Sequence, residues 1–361
     1  RDYKVTGVQT CALPISHYGV RGDAVMFLDY QKKFLDNVFF PYIDNNNIKH
    51  VFHLGDLVDR RKYISYMTAN RLKQDFLVPL SMRDCTTHIL AGNHDIYHKN
   101  TNELNALREL VANKFENIKV YTNTTWQVNV GNCGILLVPW ITQENEEDIL
   151  NSIATSECQI CFGHFELKGF EMDKGNLCSH GHDSKILDKF DVVMSGHFHH
   201  KSTNGNIHYL GAPFEMTWID YNDPKGFHIF DTATRELEFI KNPYTLFNKI
   251  YYNDNKYKYE EMVSKLKDIS IENSYIKLIV DEKQSPYLFD RFIQEIEKLQ
   301  PYDLKIVEQQ QLQYYDTNID QAEDTLTILK KSIQQLDIQC DKKKLESLVK
   351  DLYIQANAME I

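Results

Sequence analysis

The chain has 361 residues, 42% of them hydrophobic and 25% charged, enough for two or three compact units. A net charge of −11 argues against a polyanion binder that works through its overall field. No apolar run approaches the roughly 20 residues that span a bilayer, and no secretory leader is recognised. Seven cysteines at irregular spacings point to a reducing compartment without a disulfide framework.

Residues 1–16 sit poorly at the head of an α/β chain. The pattern asks for a central strand before His17, yet Pro14 lacks a ladder donor and has Gly7 and polar residues upstream. The stretch Val5–Ile15 resembles the translation of a common sequencing adapter, so 1–16 is read as an artefact and left out of functional reasoning.

From about residue 24 helix and strand alternate. Helices are expected at 25–43, 65–83, 103–114 and 144–154, between buried apolar runs at 51–54, 88–91, 158–162 and 191–195. Segments 117–130 and 133–139 read as hairpin strands, and 206–210, 226–231 and 235–240 as a final β set. The expected fold is α/β, a layered sheet sandwich with flanking helices. Cys158 and Cys161 fall inside a buried run and are read as packing, not redox or zinc chemistry. After Asn242-Pro243, residues to 310 hold strands such as 276–280 and 304–307, and helices at 257–267 and 286–299, enough for a small α+β domain. A polar linker, 308–320, leads to a helical hairpin at 321–358. One of its apolar stripes is Leu326, Leu329, Ile333 and Leu336, the other Leu345, Leu348, Val349 and Leu352.

Four of the buried runs end in glycine followed by polar donors: Gly55-Asp56, Gly92-Asn93-His94-Asp95, Gly163-His164 and Gly196-His197-Phe198-His199. Ligands collect beyond the carboxyl ends of strands in open α/β sheets, so these loops should converge. Asp56 can bridge two cations, Asn93 offers an amide oxygen, and His164, His197 and His199 offer imidazole nitrogens. Such a mixed set suits manganese, iron or zinc better than calcium or magnesium. Paired metals activate a water and clamp a phosphoryl group. His94, next to a ligand, is placed to donate a proton or to stabilise charge. Asp59 and Asp95 are expected to orient these loops. Gly-Asp or Gly-His alone would mean little; four such motifs, each ending a strand, point to a two-metal hydrolytic centre.

Cations follow each motif: Arg21, Arg60, Arg61, Lys62, His98, Lys99, Lys168 and Lys201. Converging loops would give an acidic chain a basic rim suited to phosphates. Of these, Arg60, Arg61, Lys62, Lys99 and Lys201 are the candidate substrate contacts. His50, His53, His88, His208 and His228 read as structural, and His180 and His182 as a solvated loop.

On these motifs the chain resembles the calcineurin-type metallophosphoesterases, and more narrowly the nuclease subunits of SbcCD-type complexes and their T-even-type phage counterparts. Asp29-Tyr30-Gln31-Lys32-Lys33, Val138-Pro139-Trp140 and Asp223-Pro224-Lys225-Gly226-Phe227 extend the likeness. The resemblance implies that His17, Asp56 and His199 hold one metal and Asn93, His164 and His197 a second, with Asp56 bridging, His94 as catalytic acid and manganese as the working ion. The family begins its first motif Asp-x-His; here Ile15 stands at the aspartate. The implied activity is a manganese-dependent DNA exo- and endonuclease, a hydrolase of phosphodiester bonds in DNA recombination and repair. Domains are expected at 17–242 (nuclease), 243–310 (capping, DNA-binding) and 311–361 (linker and hairpin). The hairpin, through Leu326, Leu329, Ile333, Leu345, Leu348 and Leu352, would bind an SbcC-type coiled-coil ATPase. A homodimer in the cytoplasm of a bacterium or phage-infected host, away from membranes, is also implied. The alternatives are a phosphomonoesterase or cyclic-nucleotide phosphodiesterase of the same fold, and a non-catalytic scaffold for DNA ends.

Overall fold

The apolar runs before the four motifs become parallel strands in two facing sheets. The computed structural model describes residues 8–173 and 175–308, with Ile333, Leu345, Leu348 and Val349 singly beyond them. The first sheet holds β1 (Gln9–Leu13), β2 (His50–His53), β3 (Thr86–Leu90) and β4 (Ile118–Tyr121). The second takes β5 (Trp126–Val130), β6 (Cys133–Val138) and β7 (Ile160–Gly163). A two-stranded ribbon, β8 (Glu171–Asp173) and β9 (Asn176–Leu177), precedes the rest of the second sheet, β10 (Val192–Ser195), β11 (Lys201–Asn204) and β12 (Ile207–Leu210). β13 (Gly226–Asp231) and β14 (Leu237–Lys241) return to the first sheet. The orders are β14-β13-β1-β2-β3-β4 and β11-β12-β10-β7-β6-β5. Strands β1 to β4 run parallel, as do β6, β7, β10 and β12.

The period of two along each strand sorts its side chains between layers. Val51, Ile89, Cys11 and Leu13 face the helices of the first sheet, whereas Phe52, Leu90 and Ala12 face the other sheet. Likewise Cys161, Val193 and Leu136 pack outward, and Phe162, Met194 and Leu137 pack into the shared layer. There Phe162 lies edge-on to Phe52 at 4.9 Å. The architecture is a layered β-sandwich with flanking helices, as the alternation predicts.

Three details differ from the sequence reading. First, residues 9–13 form the central strand of their sheet, antiparallel to β13 and parallel to β2. Pro14 lies just past the last paired residue, so its missing N–H costs no ladder bond. Second, the segment 117–130, read as one hairpin strand, divides into β4 and β5, and β4 takes no part in the hairpin. It pairs in parallel with β3, while β5 and β6 form the hairpin of the second sheet. Third, the two long helices each pass through a π-turn, Leu35–Phe39 and Leu72–Leu77. Pro41 and Pro79 follow these turns, and the wider turn relieves the clash of a proline ring with the carbonyl four residues back.

Among the described residues, a second compact unit gathers 249–266, 276–298 and 303–308. Its elements are β15 (Phe247–Asn253), β16 (Tyr275–Glu282) and β17 (Asp303–Glu308), with helices Tyr259–Lys265 and Pro286–Lys298. Tyr252 anchors its core against Phe289 and Phe292, at 4.9 and 5.3 Å. Leu326, Leu329 and Leu352 lie outside the described residues. Ile333, Leu345 and Leu348 are helical, Ile333 buried and Leu348 exposed. Among the described residues, no helix is long and apolar enough to cross a membrane.

Candidate metal centre

Parallel strands in both sheets deliver their carboxyl ends to one place. Asp56 follows β2, Asn93 and His94 follow β3, His164 follows β7, His197 and His199 follow β10, and His17 follows β1. His17, Asp56 and His197 adopt positive φ (46°, 52° and 82°), a region that side chains other than glycine rarely occupy. Gly55 and Gly92 are needed for close approach. A Cβ on Gly55 would lie 2.2 Å from His164 Nδ1, and one on Gly92 2.2 Å from Asp56 Oδ1.

Asp56 is the hub. Its Oδ1 accepts from the His94 N–H at 2.8 Å; its Oδ2 faces His164 Nε2 at 3.3 Å and His17 Nε2 at 3.6 Å. Burial raises its carboxyl, but His164, with His17 and His94, more than offsets this and holds it well below the usual range. His164 turns Nδ1 to the Leu54 carbonyl at 2.6 Å, which leaves Nε2 as the atom that faces Asp56 and lies 3.0 Å from Asn93 Oδ1; burial pulls the ring down, but Asp56 outweighs it and holds it above the usual histidine value. Asn93 Oδ1 also meets His197 Nδ1 at 2.9 Å. Acceptors that face acceptors need a proton or a cation between them. His17 adds to the demand, since neither of its buried ring nitrogens makes a hydrogen bond. These residues therefore fit divalent metal ions.

Two donor triads lie within 4.8 Å: His17, Asp56 and His94, and Asp56, His164 and His197. Asp56 is common to both. His199 belongs to neither, although its ring lies 5.0 Å from that of His17. His94 sends Nδ1 to the Asp59 carbonyl at 2.5 Å, which leaves Nε2 as the atom that can carry a proton into the site. Burial pulls its ring below the usual histidine value, against the pull of Asp56.

Several supporting residues escaped the sequence reading. Glu166 Oε1 lies 3.5 Å from His197 Nε2 and orients the ring whose Nδ1 meets Asn93. Buried Lys225 binds the His199 carbonyl at 2.8 Å and pairs with Asp220 and Asp223, at 2.7 and 2.8 Å. Gln31 donates to the Ser16 carbonyl at 2.9 Å, steadying the loop that carries His17. Lys225 and Gln31 lie in motifs that carry the family likeness, but nothing local assigns them these partners. Asp95 behaves as expected: it accepts the Leu57 and Val58 N–H groups on one oxygen and the Gly92 N–H on the other, tying two loops together.

The basic rim divides. Arg60 pairs with Asp23 at 3.1 Å, and Lys201 sits 3.8 Å over the Phe239 ring, so both are engaged internally. Arg61 keeps a buried Nη1 without a hydrogen-bond partner. Arg60, Arg61 and Lys62 line a cavity of about 350 Å³ with Tyr63 and Tyr97. Lys99 is exposed. A second cavity, of about 360 Å³, is lined by His197, His199, Glu166 and Asp220. The histidines read as structural bear that out in part: His53 bonds Ser16 Oγ at 2.7 Å, and His88 stacks on Phe52 and meets the Tyr121 hydroxyl. Cys158 and Cys161 are buried free thiols.

A family model described as calcineurin-like phosphoesterase matches residues 22–201, a span that includes Asp56, Asn93, His94, His164, His197 and His199. Exonuclease subunit 1 of Enterobacteria phage T4 is 38% identical over 238 residues, covering 65% of this chain and 68% of that protein. Among solved structures, glutamine-dependent NAD+ synthetase from Acinetobacter baumannii, in complex with ADP, aligns with 90% of this chain and 70% of its own. Its identity is 6% and its TM-score 0.31, too low to carry an argument.

Proposed function

The chain belongs to the calcineurin-like phosphoesterases, and from that premise we propose that it is a two-metal DNA exo- and endonuclease subunit with manganese as the working ion. The observation that carries this reading is the Asp56 carboxylate shared by two donor triads. His17, Asp56 and His199 are assigned to one metal, and Asn93, His164 and His197 to the other. When bound, such a pair supplies an activated water and neutralises charge on the phosphoryl oxygens. The chain's own residues do the rest. Leu54 and Glu166 fix the ring orientations of His164 and His197. His94 delivers a proton from Nε2 to the departing sugar oxygen, and Arg61, on the wall of the cavity it lines with Lys62, is assigned to a backbone phosphate. Lys62 and Lys99 are assigned to the same role.

The test is end-labelled linear duplex with manganese, in an Ile15→Asp background that restores the carboxylate of the family's first motif. His94→Asn should lower nucleotide release about a hundredfold without loss of bound metal, within the span that general acids contribute. Two bound metals and hydrolysis of a small phosphodiester, with no release from DNA, would instead favour the small-molecule reading.

Its relative in phage T4 is named as a subunit, which supports a partner. We assign that role to an SbcC-type ATPase held by the hairpin stripes, in the cytoplasm of a phage-infected host, with residues 243–310 as the capping domain. Leu329→Glu with Leu348→Glu should abolish co-purification of the ATPase and leave metal binding intact. Retained binding counts against the assignment. The mass of the free chain in solution tests the homodimer.

A further inference from the structure

The loop after His164 carries two donors, Cys178 and His180, that the two-metal reading does not use. Residues 178–182 fold back on 166–170 through Gly169 N–H to the Cys178 carbonyl, Cys178 N–H to Phe170, Lys168 N–H to His182 and His182 N–H to Glu166, at 2.8–3.1 Å. Gly181, at φ +91°, passes so close that a Cβ would lie 2.3 Å from the Glu166 carbonyl oxygen. These ties set Glu166, Cys178 and His180 side by side, with one oxygen, one sulfur and one nitrogen within 4.8 Å of one another. His180 Nε2 lies 3.2 Å from Glu166 Oε1, and Cys178 Sγ lies 3.9 Å from His180 Nδ1.

We propose that Glu166, Cys178 and His180 form a separate site for a thiophilic divalent cation of the zinc class, and that filling it draws Glu166 away from His197. The donor chemistry selects the ion. A thiolate beside imidazole and carboxylate favours zinc, whereas manganese prefers the sulfur-free set around Asp56. Zinc–sulfur and zinc–nitrogen bonds of about 2.3 and 2.0 Å place tetrahedral ligands roughly 3.5 Å apart, so the three donors, now within 4.8 Å, must draw together and the His180 ring must offer a single nitrogen to the ion. The exposed side chain of His180 can close the remaining gap, and water completes the fourth position. Cys178 binds as thiolate and releases its proton to solvent. Without a cation Glu166 pairs with His180 and the Cys178 thiol donates to the His180 carbonyl at 3.1 Å, contacts that the bound ion would replace.

The link to catalysis, which rests on the proposed nuclease reading, runs through one oxygen. Glu166 Oε1 faces both His180 Nε2 and His197 Nε2. A cation on that carboxylate competes with the ring that Glu166 orients, so zinc should inhibit manganese-supported hydrolysis.

The experiment titrates the full-length metal-free chain with cobalt(II) as a spectroscopic stand-in for zinc. The centre around Asp56 has no sulfur, so a thiolate-to-cobalt charge-transfer band reports the new site alone. The expected result is one equivalent with that band, displaced by zinc and absent from both His180→Ala and Cys178→Ser. His180 is exposed, so its loss should not disturb folding. No band in the parent, or a band that survives in either variant, overturns the site. Inhibition by zinc should need at least about tenfold more metal in His180→Ala; equal inhibition removes the link to catalysis. A band in an Ile15→Asp chain that binds manganese yet hydrolyses no DNA would leave this site standing and sink the nuclease reading.

Discussion

Ile15→Asp is expected to raise manganese-supported hydrolysis of linear duplex DNA by about a thousandfold, the upper range for restoring one electrostatic partner at a reacting centre. Ile15 is fully buried two residues before His17, whose ring nitrogens lack hydrogen bonds. At that position the family's first motif has a carboxylate, and an isoleucine can neither ligate a cation nor offset its charge. The substitution should also leave a sign reversal in stability. A buried carboxylate without a counter-charge costs roughly 3–5 kcal/mol, so the metal-free variant should melt below its parent. Bound metal supplies the counter-charge and stabilises by mass action, so with manganese the order should invert. Calorimetry with and without manganese reads this independently of any nuclease assay. Equal rates and equal melting in both states would mean that the first metal needs nothing from residue 15, and that residues 1–16 work as they stand.

The glycine-bounded strands were legible because strands covered on both faces read as apolar runs, and because glycine is needed where two ligand loops nearly touch. His50–His53, Thr86–Leu90, Ile160–Gly163 and Val192–Ser195 lie within a residue or two of their expected places. Sheet membership was not legible. Residues 117–130 read as a single hairpin strand, yet Ile118–Tyr121 and Trp126–Val130 separate into different sheets, and only the second forms the hairpin with Cys133–Val138. An alternating pattern tells a strand which face to bury but not which neighbour to take. The strand at Gln9–Leu13 was discounted for a proline that falls outside the ladder. In the site, donors that follow glycine could be named, whereas the groups that hold them could not. Lys225 serves the carbonyl of His199, 26 residues away, and Glu166 serves His197, 31 residues away. Such roles depend on tertiary contact and leave no local periodicity to read.

Gly92→Ala should be nearly as damaging as the loss of a ligand, though it removes no donor. Gly92 lies outside the left-handed region, so alanine meets no objection from its own backbone. The obstacle is space: the new Cβ would sit 2.2 Å from Asp56 Oδ1, 2.4 Å from Asp56 N and 2.7 Å from His164 Cε1. Backbone on one side and a buried imidazole on the other leave little room to yield. Asp56 must therefore shift, and with it the carboxylate common to both triads. Overpacking of this kind typically costs about 1–3 kcal/mol, which a chain of this size can survive folded. A displacement on the order of an ångström at a reacting centre costs about a hundredfold in rate. Acting on both metals at once, it should lower hydrolysis about a thousandfold in the Ile15→Asp background, with weakened binding of both ions. Gly205→Ala is the control. It has nothing within 4 Å of its Cβ but a φ of +59°, so it should lose about 1–2 kcal/mol to backbone strain and nothing in metal affinity. If Gly92→Ala bound two manganese ions at parental affinity, Asp56 would not be the hub, and the shared-carboxylate reading would fall with it.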